Sequence, residues 1–155
     1  MLGPVQKQWL FDSLKASKAT FKIIGSPVAW ASDAKPGSMD TWNGFIGERE
    51  EIFQFLGDNR IGGVLLLSAD RHRTDFWKHE RSGEYPLYEI MSARLTNVHT
   101  HELVPGALFG YNEKCSFALL NIDTLKADPE IEFKIISIDN EIINTHVIKG
   151  SEISY

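Results

Sequence analysis

Cysteine is almost absent: Cys115 is the single one in 155 residues, so no internal disulfide can form. The fold must rest on a hydrophobic core, which a chain of this length can bury. One free thiol leaves the compartment open, because some secreted bacterial proteins use no disulfides either. A basic surplus is also missing. Lys and Arg number 16 against 21 Asp and Glu, the net charge is −5, and no basic stripe marks a nucleic-acid backbone binder. No apolar run approaches the ~20 residues that span a bilayer. Met1-Leu2-Gly3-Pro4 offers neither a basic n-region nor a long apolar h-region, so no export signal is read there. Internal repeats and low-complexity tracts are lacking too.

What is present describes one globular domain, with 43% apolar and 24% charged residues. Pro4 suits a first helical turn, and Val5, Trp9, Leu10 and Leu14 mark one face of an amphipathic helix over 4–17. Thr20 to Gly25 reads as a short buried strand, and Ser26 to Phe45, with Pro27, Pro36, Gly37 and Gly44, as a long loop. A second helix is expected from Ile46 to Leu56, with Ile46, Ile52, Phe53 and Leu56 inward and Gly57 as its left-handed cap. The continuous apolar run from Ile61 to Leu67 suits a strand covered on both faces. Further strands are expected at Tyr85–Ser92, Phe117–Ile122, Glu130–Ile138 and Glu141–Ile148, with a tight hairpin turn at Asp139-Asn140. The chain therefore runs α/β at first and β-rich afterwards.

The most informative stretch is Leu67-Ser68-Ala69-Asp70-Arg71-His72-Arg73-Thr74. Asp70 and His72 follow directly on the apolar strand, where ligands of open α/β sheets bind. In extended backbone, residues i and i+2 point the same way. A carboxylate beside an imidazole makes a suitable pair of metal ligands. Arg71 and Arg73 flank the pair and carry guanidinium forks suited to phosphate oxygens. His99 and His101 repeat the i, i+2 spacing and are candidates for the same mouth, with a surface loop as the plainer reading. Asp40 with Trp42 could border an entrance, Trp42 being equally a core or loop anchor. His79 and His146 read as solvated, and Cys115 as a buried structural thiol. Nothing supports a Ser or Cys nucleophile.

Leu67-Ser68-Ala69-Asp70-Arg71-His72 resembles the Ser-Gly-Asp-x-His signature of PhoD-like alkaline phosphatases, a metallophosphoesterase family, with Ala69 where Gly is usual. A Gly there could supply φ > 0 or a close backbone approach. Three further segments carry the same resemblance in order: Leu2-Gly3-x-x-Gln6-x-x-Trp9-Leu10-x-x-x-Leu14-x-x-Ser17, then Asp40-x-Trp42-x-Gly44-Phe45-x-x-Glu48-Arg49, then Leu87-Tyr88-Glu89-Ile90-x-Ser92 followed by Leu95-Thr96-Asn97. Together they cover roughly residues 2–100.

The resemblance implies the C-terminal part of a metallophosphoesterase-type two-sheet sandwich flanked by helices. Residues 2–100 would be the metal-site half and 101–155 a β-rich tail. It implies hydrolysis of phosphate monoesters or diesters, with Asp70 and His72 as metal ligands and with iron and calcium as the metals reported in the family. Such ions screen phosphate charge, activate a bound water and stabilise the leaving oxygen. In the family the remaining Asp-rich motifs lie upstream of the Leu-Gly-x-x-Gln segment. The chain is therefore expected to be part of a longer enzyme, with negligible activity by itself and its partner the missing N-terminal half or a second copy. An inactive remnant serving as a structural or interaction module is the alternative, and a complementing half of a split enzyme is the third reading. Family members are often exported.

Overall fold

A computed structural model describes residues 1–96 and 98–155; Asn97, the last residue of the Leu95-Thr96-Asn97 match, lies outside the described residues. The elements in order are α1 (Gly3–Ala16), β1 (Lys22–Gly25), α2 (Ile46–Asp58), β2 (Val64–Ser68), β3 (Thr74–His79), β4 (Leu87–Ser92), β5 (Phe109–Tyr111), β6 (Ser116–Asp123), β7 (Glu130–Ser137) and β8 (Ile142–Lys149). Short 3₁₀ turns occur at Ser32–Ala34, Trp42–Phe45 and Gly150–Ile153. The architecture is mixed α/β with two sheets, and most of its elements are strands.

The first sheet has the order β1-β2-β4-β3-β5, and the second is a β6-β7-β8 meander. β1, β2 and β4 run parallel, while β3 is antiparallel to both β4 and β5. β2 is thus flanked on both edges, and Val64, Leu65 and Leu66 are fully buried, as the uninterrupted apolar run predicts. Gly63 enters this strand with φ +74°, where a Cβ would lie 2.0 Å from the Thr20 carbonyl oxygen. Only glycine passes there.

Pairing register separates two faces of the first sheet. Phe76 opposes Ile90 and Lys78 opposes Tyr88, and this face meets the second sheet, with Phe76 edge-on to Phe133 at 4.7 Å between ring centroids. Ile131, Phe133 and Ile135 of β7 are fully buried in the same core. On the opposite face, Trp77 opposes Glu89 and Asp75 opposes Met91. There Trp77 and Met91 pack on Ala29, Ala31 and Ala34 of the long loop. α2 contributes Ile52, Phe53 and Leu56 to the main core, and α1 stacks Phe11 on Phe55 at 3.9 Å.

Several expectations need correction. Val5 and Trp9 do not form the buried face of α1; both are exposed, and Leu14 is the buried residue. Ile46 is exposed at the start of α2. The left-handed position after α2 is Arg60, at φ 48°, whereas Gly57 remains helical and makes room for the Glu84 carboxylate. The Ser26–Phe45 stretch is well packed: Trp30 and Trp42 are buried and stacked at 4.2 Å, and Trp42 Nε1 donates to Ser26 Oγ. Strands β3 and β5 add to the expected elements: Thr-Asp-Phe-Trp-Lys-His of β3 has no apolar alternation, and β5 is only three residues long. The Asp139-Asn140 turn does form, with Asn140 at φ 61° and its N–H donating to Ser137 O at 2.9 Å.

Candidate metal centre

β2 ends at Ser68, and the chain turns sharply before β3 begins at Thr74. Asp70 and His72 occupy this turn with φ 81° and 48°, both left-handed. The expected persistence of extended backbone is therefore wrong, and i, i+2 alternation does not orient the pair. Ala69, by contrast, is not among the positive-φ residues, so a side chain at that position meets no conformational barrier of this kind. Asp and His are among the non-glycine residues that tolerate the left-handed region best, which is a signal the residue types themselves carry.

The two arginines diverge. Arg73 is fully buried; its Nε lies 2.9 Å from each oxygen of Asp75, and its Nη2 donates to Ala34 O at 3.0 Å. Burial raises the Asp75 carboxyl above its ordinary range against the opposing pull of Arg73. Arg71 is partly exposed and donates through Nε to the same Ala34 carbonyl at 3.2 Å. One guanidinium thus braces the base of the turn, and the other remains near its surface.

Asp70 and Asp40 share a lysine. Lys35 Nζ is 2.7 Å from Asp40 Oδ2 and 3.9 Å from Asp70 Oδ2, which draws the exposed Asp40 loop to the Asp70 side of the turn. Lys35 and Ser38 hold the Asp40 carboxyl below its usual range.

The structure brings His99 and His101 to His72. One candidate ligand atom from each imidazole lies within 4.8 Å of the other two. Ring centroids are separated by 5.6 Å (His72–His99), 5.8 Å (His72–His101) and 4.7 Å (His99–His101). The reading of His99 and His101 as mere surface-loop residues is too weak, although His99 is exposed and His101 half-buried. Thr100 Oγ1 donates to His72 O at 2.8 Å, and Asn112 Nδ2 donates to His101 O at 3.0 Å, so side chains pin this loop over the turn. Burial lowers the His101 pKa, with nearby Arg71, His99, His72 and Arg73 acting in the same direction. A neutral imidazole is the form that ligates metal.

Behind the turn lies a buried polar network that sequence reasoning missed. Glu89 on β4 is fully buried and accepts from Trp30 N at 3.0 Å, Ala31 N at 2.9 Å and Ser68 Oγ, and it meets His79 Nε2 at 2.9 Å. His79 Nδ1 in turn faces Arg49 Nη2 at 3.2 Å. His79 is therefore not solvated; its side chain is 8% exposed. His146 is not solvated either: it lies against Phe76, Phe109 and Phe133, with Nε2 buried and without a hydrogen-bond partner among the described residues. Cys115 is half-buried just ahead of β6 rather than buried within it.

The PhoD-like phosphatase family model matches residues 1–111 of the chain. This chain belongs to that family. It is 32% identical over 78 residues to alkaline phosphatase D of Bacillus subtilis (strain 168), a match covering 46% of the chain and 13% of that protein. Its fold is similar to a solved structure of PhoD, with TM-score 0.65 at 16% identity, covering 95% of the chain and 35% of that structure. A structure of GAP50, described as the anchor in the inner membrane complex of Plasmodium, is similar too, with TM-score 0.63 at 17% identity over 97% of the chain and 42% of that structure. The chain thus spans about an eighth of the curated relative and about a third of the PhoD structure.

Family membership implies metal ions, and the donors present fit them in part. Imidazole suits iron, zinc and copper, whereas calcium requires six to eight oxygen ligands. A carboxylate at Asp70 and imidazole at His72 meet the first requirement better than the second.

Proposed function

We propose that this chain supplies one part of a metal-dependent phosphoesterase site, acting on phosphate monoesters or diesters. The observation that carries the reading is the Asp70-Arg71-His72 turn at the carboxyl end of β2, held open in left-handed backbone within a chain of the PhoD-like family. Asp70 and His72 would be metal ligands. Iron is the better match to this pair, with calcium dependent on oxygen ligands supplied elsewhere. When bound, the ions polarise the phosphoryl group and lower the pKa of a bound water. Arg71, at the rim, would meet a phosphate oxygen, while Arg73 braces the turn through Asp75 and Ala34. Asp40, linked through Lys35, would lie at the mouth.

Two ligands do not complete a binuclear cage, and the chain covers a minor share of its relatives. The remaining ligands would come from the upstream half of a longer protein, set in the two-sheet sandwich of the metallophosphoesterases. An apolar groove between α1 and the outer edge of β1, lined by Leu2, Trp9, Leu10, Ile23 and Trp30, is a surface against which that half could pack. The purified 155-residue chain should show negligible turnover of a chromogenic phosphate diester with iron and calcium supplied. It should gain turnover when joined to an upstream polypeptide of the family, and lose that gain with Asp70→Asn. Full metal-dependent activity of the chain alone would overturn the incomplete-site reading. Retention of activity by Asp70→Asn in the completed enzyme would overturn the assignment of the ligand.

A further inference from the structure

We infer that His72, His99 and His101 form a three-nitrogen site for a borderline divalent transition metal of the zinc class. The site uses residues of this chain alone. It shares His72 with the phosphoesterase reading but does not rest on Asp70, whose carboxylate lies outside the cluster and 3.9 Å from Lys35.

The argument begins with how the histidines are gathered. Three of the five histidines in the chain converge at one point, from two segments separated by 26 residues and the whole of β3 and β4. Their candidate ligand atoms lie within 4.8 Å of one another. Tetrahedral zinc with Zn–N bonds of about 2.0–2.1 Å needs nitrogen atoms roughly 3.3–3.4 Å apart. Closing from 4.8 Å to that spacing takes a further approach of roughly 1.4 Å between ligand atoms. His99 is exposed and His101 half-buried, so a cation can reach the cluster from solvent.

The backbone on which the rings stand is already fixed. Thr100, between the two loop histidines, bonds to the carbonyl of His72 itself at 2.8 Å, and Asn112 on the far side holds the carbonyl of His101 at 3.0 Å. Arg94 adds bonds to Asn112 O and to Val98 O, the latter at 3.3 Å. Pinning the ligands before the metal arrives removes much of the ordering cost of binding. His72 belongs to the strand-end turn, so the site is at the β2–β3 junction rather than on a remote surface. Three nitrogens leave a fourth tetrahedral position for water or an anion oxygen, the arrangement of catalytic rather than structural zinc.

The test is zinc titration of the full 155-residue chain by isothermal calorimetry, with cobalt absorption as a spectroscopic report of a low-coordinate nitrogen site. One zinc ion per chain is expected, with affinity falling at least tenfold in His99→Ala and in His101→Ala. Asp70→Asn should leave zinc affinity within about twofold. His99→Gln and His101→Gln, with circular dichroism on every variant, guard against a folding defect. Zinc affinity unchanged in the His99 and His101 variants, or no uptake at all, would overturn the proposal. Loss of zinc in Asp70→Asn with retention in His99→Ala would overturn it as well, while supporting the phosphoesterase ligand assignment. Zinc retained in Asp70→Asn with the completed enzyme still active would leave this site standing and sink the other reading.

Discussion

On one face of β4, Tyr88 and Ile90 join an apolar cluster with Phe76, Ile131, Phe133 and Ile135 across the sheet–sheet interface. On the other face, Glu89 is equally buried yet meets two backbone N–H groups, a serine and a histidine. The two faces differ in how they tolerate change. An apolar core can be repacked with side chains of similar volume at modest cost. A buried carboxylate surrounded by donors has no such latitude, because removing it strands several polar groups at once. The face that carries the Asp70–His72 turn is the second kind. Ser68 connects them: its hydroxyl bonds to Glu89, and it is the last residue of β2 before the turn. On the turn's face, electrostatics and hydrogen bonds act in addition to the packing of Trp77 and Met91 on the loop alanines, whereas the opposite face is positioned mainly by volume.

The sharpest way to break this comparison is Glu89→Ala, which orphans Trp30 N, Ala31 N, Ser68 Oγ and His79 Nε2. We expect a loss on the order of 5 kcal/mol in urea denaturation followed by circular dichroism. A loss below about 1 kcal/mol would show that the polar face reorganises as readily as the apolar one. Phe133→Ala on the apolar face should cost about 3–4 kcal/mol, while Phe133→Leu should recover most of it, to within about 1.5 kcal/mol. No comparable rescue is expected for Glu89, where even Gln replaces two acceptor oxygens with one and adds donors. If Glu89→Gln were as mild as Phe133→Leu, the distinction between the faces would fail.

The smallest effect tests a polar group stranded on the apolar face, His146. Burial lowers the pKa of His146 from its ordinary value of about 6.5. The folded chain then binds fewer protons than the unfolded one, so stability is intact above the unfolded pKa and declines as pH falls below about 6.5. His146→Phe fills the same aromatic surroundings without a titrating nitrogen. It should leave stability at pH 7.5 equal or slightly higher, by less than about 1 kcal/mol, and should flatten its fall between pH 7 and pH 5. His101 also has a lowered pKa, so some pH dependence should persist in the variant. An unchanged slope would show that His146 is not the group responsible.

Much of the fold was legible in residue order because the physics behind it is local. The apolar run before Ser68 requires cover on both faces, and Asp139-Asn140 between alternating strands requires a hairpin. β3 escaped because it is buried on both faces while carrying Thr74 and Asp75, residues that ordinarily mark a surface. Its polarity is neutralised by Arg73, two residues away in sequence and fully buried, which no periodicity announces. His79 and His146 were misplaced for a related reason: an imidazole suits water, a carboxylate or an aromatic pocket, and the choice depends on what packs against it.

Residue identity by itself determined that Asp70 and His72 stand at the end of a buried strand, and that four ordered motifs place the chain in its family. Tertiary structure decided the rest. It turned that pair through left-handed backbone instead of extending the strand, locked Arg73 inward while leaving Arg71 near the surface, and carried His99 and His101 across to His72. The physical reason is range. Strand and turn preferences act over a few residues, whereas a ligand cluster requires side chains far apart in sequence to be held together by contacts such as Thr100 on His72 and Asn112 on His101.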